Sequence, residues 1–243
     1  MNLLIDIGNS SIKLAKSAGT DLCEEVIQSQ ISTDFLSIYL STGLKVERAI
    51  VADSGKVPDF LKAFLEEKQI QLHVISPQWK FPFSIHYETP ETLGKDRLAN
   101  VAGALALYPD KNCLIIDAGT AVTYEYLIDG SYLGGAISPG LKTRFKALAD
   151  QTDKLPLLEA SDDFIFPGNS TRNSILSGVI LGLIHELNGH IDSFLAQYPN
   201  GSILLSGGDS KFLAKRINSH IFAHPNLVMI GLNHLLNSNF RSN

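Results

Sequence analysis

With 243 residues the chain can bury one large core or two domains of roughly 100–150 residues each. A net charge of −5 and a sequence pI near 5.8 leave no basic field, which argues against nucleic acid as a partner. Cys23 and Cys113 fit neither a disulfide scaffold nor a metal-ligand spacing, no apolar run is long enough to span a bilayer, and no signal-peptide pattern follows Met1; a cytoplasmic protein with no membrane partner is expected.

The chain opens on Asn2-Leu3-Leu4-Ile5-Asp6-Ile7-Gly8-Asn9-Ser10-Ser11-Ile12-Lys13, an apolar strand that ends in Asp-x-Gly and reverses into a second apolar run. Leu14–Ser17, the turn at Gly19–Asp21 and Cys23–Ile27 complete a three-stranded meander. Helical patterns over 33–41 and 58–68 alternate with short strands at 48–52 and 73–75, an α/β arrangement in which Phe60, Leu61, Phe64 and Leu65 share one helix face. Pro77–Pro90 reads as an irregular, aromatic connection of a length that is often functional. A helix from about Lys95 to Tyr108 follows, with Asp96 and Arg97 in its first turn.

At Cys113–Ala121 the opening frame returns as Cys-Leu-Ile-Ile-Asp117-Ala-Gly-Thr120-Ala. Strands at 114–116, 122–128 and 132–137 form a second meander, with Asp129-Gly130 as a hairpin turn. Gly134 and Gly135 precede a helix carrying Leu141, Phe145 and Leu148; 162–170 reads as a loop and 171–197 as a long helical region. Within it Ile175–Leu187 is either core or a subunit contact, and His185 is expected to pack rather than to react. Ser202–Ser206 is a buried strand stopping at Gly207-Gly208-Asp209, a strand-to-helix junction suited to a nucleotide contact. A strand at 227–229 and a final helix at about 232–239, packed across both domains, end the pattern. Trp79 reads as a loop anchor.

A single Asp-x-Gly is most often a plain hairpin turn, since both residues suit turns for conformational reasons. Two copies behind buried strands point instead to turns whose N–H groups hold phosphate, beside carboxylates that face a nucleotide's cation. Asp96 alone would be an ordinary acid at a helix N-terminus, and Arg97 alone a surface ion-pairing residue.

Taken together the motifs resemble the type III pantothenate kinases, of the actin, sugar-kinase and heat-shock-chaperone superfamily. The resemblance rests on Asp6-Ile-Gly-Asn-Ser, Tyr87-x-x-Pro-x-x-Leu-Gly94-Lys95-Asp96-Arg97, Asp117-Ala-Gly-Thr120-Ala, Gly134-Gly-Ala-Ile-Ser-Pro-Gly140 and Thr171-x-x-Ser-Ile-x-Ser-Gly178. Lys95 departs from it, filling a spacer where a small or apolar residue is expected.

The resemblance implies two similar ribonuclease H-like α/β domains, residues 1–112 and 113–243, each opening with an antiparallel β-meander and facing the other across a nucleotide cleft. It implies transfer of the ATP γ-phosphate to the primary hydroxyl of pantothenate, the first step of coenzyme A synthesis, in a cytoplasmic homodimer. Asp6, Ile7, Gly8, Asn9, Ser10, Ser11, Ile12, Lys13 and Thr120 would contact ATP, with Asp6 reaching Mg²⁺, directly or through water. Asp117 would bind potassium or ammonium. Tyr87, Gly94, Lys95, Asp96, Arg97 and Thr171 would line the pantothenate site, with Asp96 as general base. The motifs also fit two competing readings: a nucleotide-driven scaffold of the actin kind, for which 243 residues leave little room, and a kinase for another small alcohol.

Overall fold

A computed structural model describes residues 1–43, 45–53, 57–76 and 79–240. The chain divides into two compact units, one of Met1–Asp110, Asp129–Leu133 and Asn226–Asn243, the other of Lys111–Ile128 and Gly134–Pro225.

In the first unit β1 (Asn2–Ile7), β2 (Ile12–Ala18) and β3 (Asp21–Gln28) form the antiparallel meander that the alternating apolar runs predict. β4 (Arg48–Asp53) lies parallel to β1, and β5 (Gln71–Val74) parallel to β4, giving the order β3-β2-β1-β4-β5. Strand alternation sends Leu3, Ile5, Ala49 and Val51 into a core with α1 (Thr33–Ser41) and α2 (Asp59–Glu67). Ser32 caps α1 by accepting the Phe35 N–H, whereas Pro58 stands just outside α2, at its N-cap. Asn2, on the alternate face, donates to Asn233 in the last helix. Trp79 meets Phe240 and His73 edge-on, as a loop anchor would, while Pro77 and Gln78 of that connection lie outside the described residues.

A two-residue strand, β6 (Ser84–Ile85), pairs parallel with Ser131 and Tyr132, and a 3₁₀ turn at Pro90–Thr92 leads to α3 (Lys95–Leu107).

The second unit holds β7 (Cys113–Ala118), β8 (Ala121–Ile128) and the rest of β9 (Ser131–Pro139). Asp129 and Gly130 both have positive φ, as a two-residue type I′ turn requires. α4 (Leu141–Asp150) and α5 (Thr171–Gln197, capped by Ser170) cover the sheet. β10 (Ser202–Ser206) runs parallel to β7, and after α6 (Ser210–Ala214) a short β11 (Phe222–Ala223) completes the order β11-β10-β7-β8-β9. Ile175, Leu176, Val179, Ile180, Leu183, Ile184 and Leu187 are buried in this unit's own core. The Ile175–Leu187 segment is therefore core on its apolar side, and its glycines, like His185, are exposed; His185 does not pack as expected.

Two sequence expectations change at the C-terminus. Leu227–Met229 is not a strand but the first turn of α7 (Leu227–Asn239), because three apolar residues fit a buried strand and a buried helix turn equally well. Helical spacing continues through Leu232, Leu235 and Leu236, all fully buried. This helix packs on α3, β1 and β4, so the chain from Asn226 onward groups with the first unit rather than with the expected 113–243 domain.

Candidate active site

β1, the central strand, carries Asp6 to the C-terminal end of the first unit's sheet, in register with Ala52 and opposite Lys13. The turn beyond it is closed by the Gly8 N–H donating to the Ser11 carbonyl at 3.0 Å, and Gly8, Asn9 and Ser10 are exposed. A side chain at Gly8 would meet that carbonyl at 3.2 Å, so the tight reversal favours glycine.

The second unit repeats the device. β7 delivers Asp117, and the Gly119 N–H donates to the Ala121 carbonyl at 2.9 Å. Thr120 is exposed; its carbonyl accepts from the Gly140 N–H at 3.0 Å and from Thr143 Oγ1 at 2.6 Å, which ties the start of α4 to the turn. The exit of β10 closes on the same place. Gly207 has φ +90°, and a Cβ there would sit 2.4 Å from Asp117 Oδ1 and 2.3 Å from the Ala118 carbonyl. The Asp209 N–H donates to that carbonyl at 3.0 Å, and burial holds the Asp209 carboxyl above the usual range. The hydroxyls of Ser206 and Ser210 are buried with no hydrogen-bond partner among the described residues. Exposed turn residues, glycine-lined backbone and the buried Ser206 and Ser210 hydroxyls suit a polyanion and its cation. Among the described residues no cluster of three or more His, Cys, Asp or Glu could hold a metal, so a cation at Asp6 or Asp117 would draw its remaining ligands from backbone, water or phosphate.

The third constellation lies in the first unit, at the start of α3. Gly94 is the N-cap and makes no side-chain cap bond. Asp96 Oδ1 accepts the Arg97 N–H at 2.9 Å. Arg97 is only 6% exposed, so it is no surface ion-pairing residue; its guanidinium lies 5.7 Å from the Tyr87 ring centroid, with Nη1 3.5 Å from the Tyr87 hydroxyl. Tyr87 in turn stacks on Tyr132 at 6.3 Å. Lys95 Nζ donates to Asp53 Oδ2 at 2.9 Å. The structure thus brings Tyr87 to Arg97 beside the consecutive Gly94, Lys95 and Asp96, together with an acid, Asp53, that the sequence does not single out.

Thr171 belongs to the second unit, as the first residue of α5. It lines a mainly apolar cavity of about 830 Å³ with Arg144, Leu148, Leu155, Ile175 and Val179. Beside it Arg144 donates to Glu186, which also accepts from the Tyr124 and Ser138 hydroxyls. Burial pushes the Glu186 carboxyl up, but those three hydrogen bonds and the Arg144 charge outweigh it and hold the group below the usual range.

The type III pantothenate kinase family model matches residues 2–193. A protein of that name from Flavobacterium johnsoniae is 39% identical over 235 residues, 96% of each chain. Among solved structures, a conserved Baf-family protein from Campylobacter jejuni aligns with a TM-score of 0.60 at 23% identity over 98% of both chains. A glucokinase from Streptomyces griseus aligns with a TM-score of 0.56 at 11% identity over 98% of both, which shows that the fold is that of the sugar kinases. The chain belongs to the type III pantothenate kinase family.

Proposed function

We infer that the protein transfers the γ-phosphate of ATP to the primary hydroxyl of pantothenate, giving 4′-phosphopantothenate at the first step of coenzyme A synthesis. The observation that carries this reading is the first turn of α3, where Asp96 stands between Lys95 and a buried, Tyr87-stacked Arg97 in the family's own motif.

Phosphoryl transfer asks a protein mainly to hold donor and acceptor in line and to offset charge. The turn Asp6–Lys13 and Thr120 contact the ATP phosphates, and Asp6 takes Mg²⁺, directly or through water. The bound metal supplies charge neutralisation on the phosphate oxygens. Asp117 holds a monovalent cation, potassium or ammonium. Arg97, a planar cation withdrawn from water, suits the pantothenate carboxylate, and Tyr87, Gly94 and Thr171 complete the substrate contacts, whereas Lys95 is engaged by Asp53. Asp96 accepts the hydroxyl proton as the oxygen attacks. The enzyme works in the cytoplasm as a homodimer.

ADP release from ATP, Mg²⁺ and potassium, followed with and without pantothenate, tests the activity. Pantothenate-dependent turnover is the expected result; ADP release indifferent to pantothenate would favour a nucleotide-driven scaffold. Light scattering that reports a fully active monomer would remove the dimer from this reading.

A further inference from the structure

Asp53 ends β4 in register with Ile7, one residue beyond the position of Asp6 on the neighbouring strand. Its side chain is 2% exposed, and while Oδ2 accepts from Lys95, Oδ1 has no hydrogen-bond partner among the described residues. A carboxylate withdrawn from water in this way is strongly unfavourable unless a cation compensates it, and Lys95 supplies that cation from another element 42 residues along the chain. Lys95 is also the position at which the chain departs from the small or apolar spacer expected in the motif.

We propose that Asp53 is a positioning residue for phosphoryl transfer: through Lys95 it fixes the first turn of α3, and so the aim of the Asp96 carboxylate. Gly94 offers no side-chain cap to that turn. What holds it is an anchor on each side of Asp96, Lys95 on Asp53 and Arg97 on Tyr87. The Asp53 anchor ties the turn to the strand pair that also carries the Asp6 phosphate turn, so proton acceptor and phosphate turn are braced on one sheet. Reactions that depend on orientation lose on the order of 10²-fold for a misplacement of about 1 Å.

This inference rests on the kinase reading with Asp96 as base. Its test is steady-state kinetics of D53N, K95M, the double variant and K95R, with hydrogen exchange of the α3 first-turn amides as a readout independent of turnover. D53N and K95M are each expected to lower kcat by roughly 10–100-fold while the KM values for pantothenate and ATP stay within about threefold. The double variant should be no worse than K95M alone, since both substitutions break one tie. K95R should recover part of the lost turnover, and exchange should speed up in the single variants. If K95M is too unstable to purify, the double variant, which leaves no buried charge behind, still reports the kcat loss. A K95M enzyme with normal kcat, losses that add in the double variant, or a loss confined to the KM for pantothenate would overturn the proposal; the last would make Lys95 a substrate contact. Wild-type protein with no pantothenate-dependent turnover but with faster exchange in K95M would instead sink the kinase reading and leave the tie itself standing.

Discussion

Asp96 Oδ1 lies 2.5 Å from where a Cβ on Gly94 would stand, so the carboxylate occupies the space that a side chain two residues earlier would need. Gly94 has φ −57° and ψ 133°, values any residue can adopt. The motif glycine is therefore required for the room it leaves, not for its backbone. Gly94→Ala should keep the helix start and the melting temperature near those of wild type, yet push the carboxylate aside. A fall in kcat of roughly 10–100-fold is expected, and unaltered kinetics would show that Asp96 can work from another rotamer.

Asp96→Asn asks a separate question, because asparagine keeps an oxygen that can accept the Arg97 N–H but cannot take up the substrate proton. Turnover should drop by about 10²–10⁴-fold, the usual range for a lost acid–base group, while ATP binding, followed by calorimetry, barely changes. Normal turnover would reduce Asp96 to a helix-terminal acid. A loss of pantothenate affinity alone would make it a substrate-orienting group.

The two Asp-x-Gly hairpins, the Asp129-Gly130 turn and the long α5 were legible because each rests on local chemistry: a strand period, a turn that needs positive φ, a long unbroken helical stretch. Asp53 was not legible. It is one acid at a strand end, and it gains meaning only from Lys95, which sequence reading marked as an oddity without seeing its partner. The last helix failed for another reason. The buried Leu232, Leu235 and Leu236 announced a core-facing helix but carried no mark of which core they fill, and the three apolar residues before them fitted strand and helix alike.

Glycines 103 and 231 bring α3 and α7 into backbone contact: a Cβ on Gly231 would fall 1.7 Å from the Ala99 carbonyl, and one on Gly103 2.4 Å from that of Leu227. Gly231→Ala should therefore lose about 1–3 kcal/mol or more, the range for overpacking. Gly189 in α5 has nothing within 4 Å of its Cβ position, and Gly189→Ala should gain roughly 0.5–1 kcal/mol from helix entropy. Urea denaturation of both variants checks the opposite signs. Equal effects would mean that the α3–α7 contact relaxes freely.

Asp117 approaches the Gly207 position and stands one residue before the end of β7. If it neutralises a monovalent cation beside the phosphates, Asp117→Asn should remove most of the potassium activation while leaving the fold intact by circular dichroism. A cation of this kind acts through charge with little directional demand. An unchanged potassium dependence would move the cation site elsewhere.

Glu186 offers a pH test within the second unit. Its carboxyl is held below the usual range because the Ser138, Tyr124 and Arg144 hydrogen bonds and the Arg144 charge outweigh burial. A group whose folded pKa is depressed contributes stability that is fully present above its unfolded value, near 4.5, and is lost as pH falls through the folded value. Glu186→Gln keeps an acceptor for the two hydroxyls but not the charge that meets Arg144. The variant should be less stable than wild type at pH 7, and the gap should close as pH drops below about 4.5. Because the Glu186 side chain is 26% exposed, solvent screens the pair, and salt should narrow the neutral-pH gap as well. Urea midpoints measured from pH 7 down to pH 3.5, at low and high salt, would show this; a gap that stays constant across that range would mean that shape and packing, rather than charge, hold the Arg144–Glu186 pair in place.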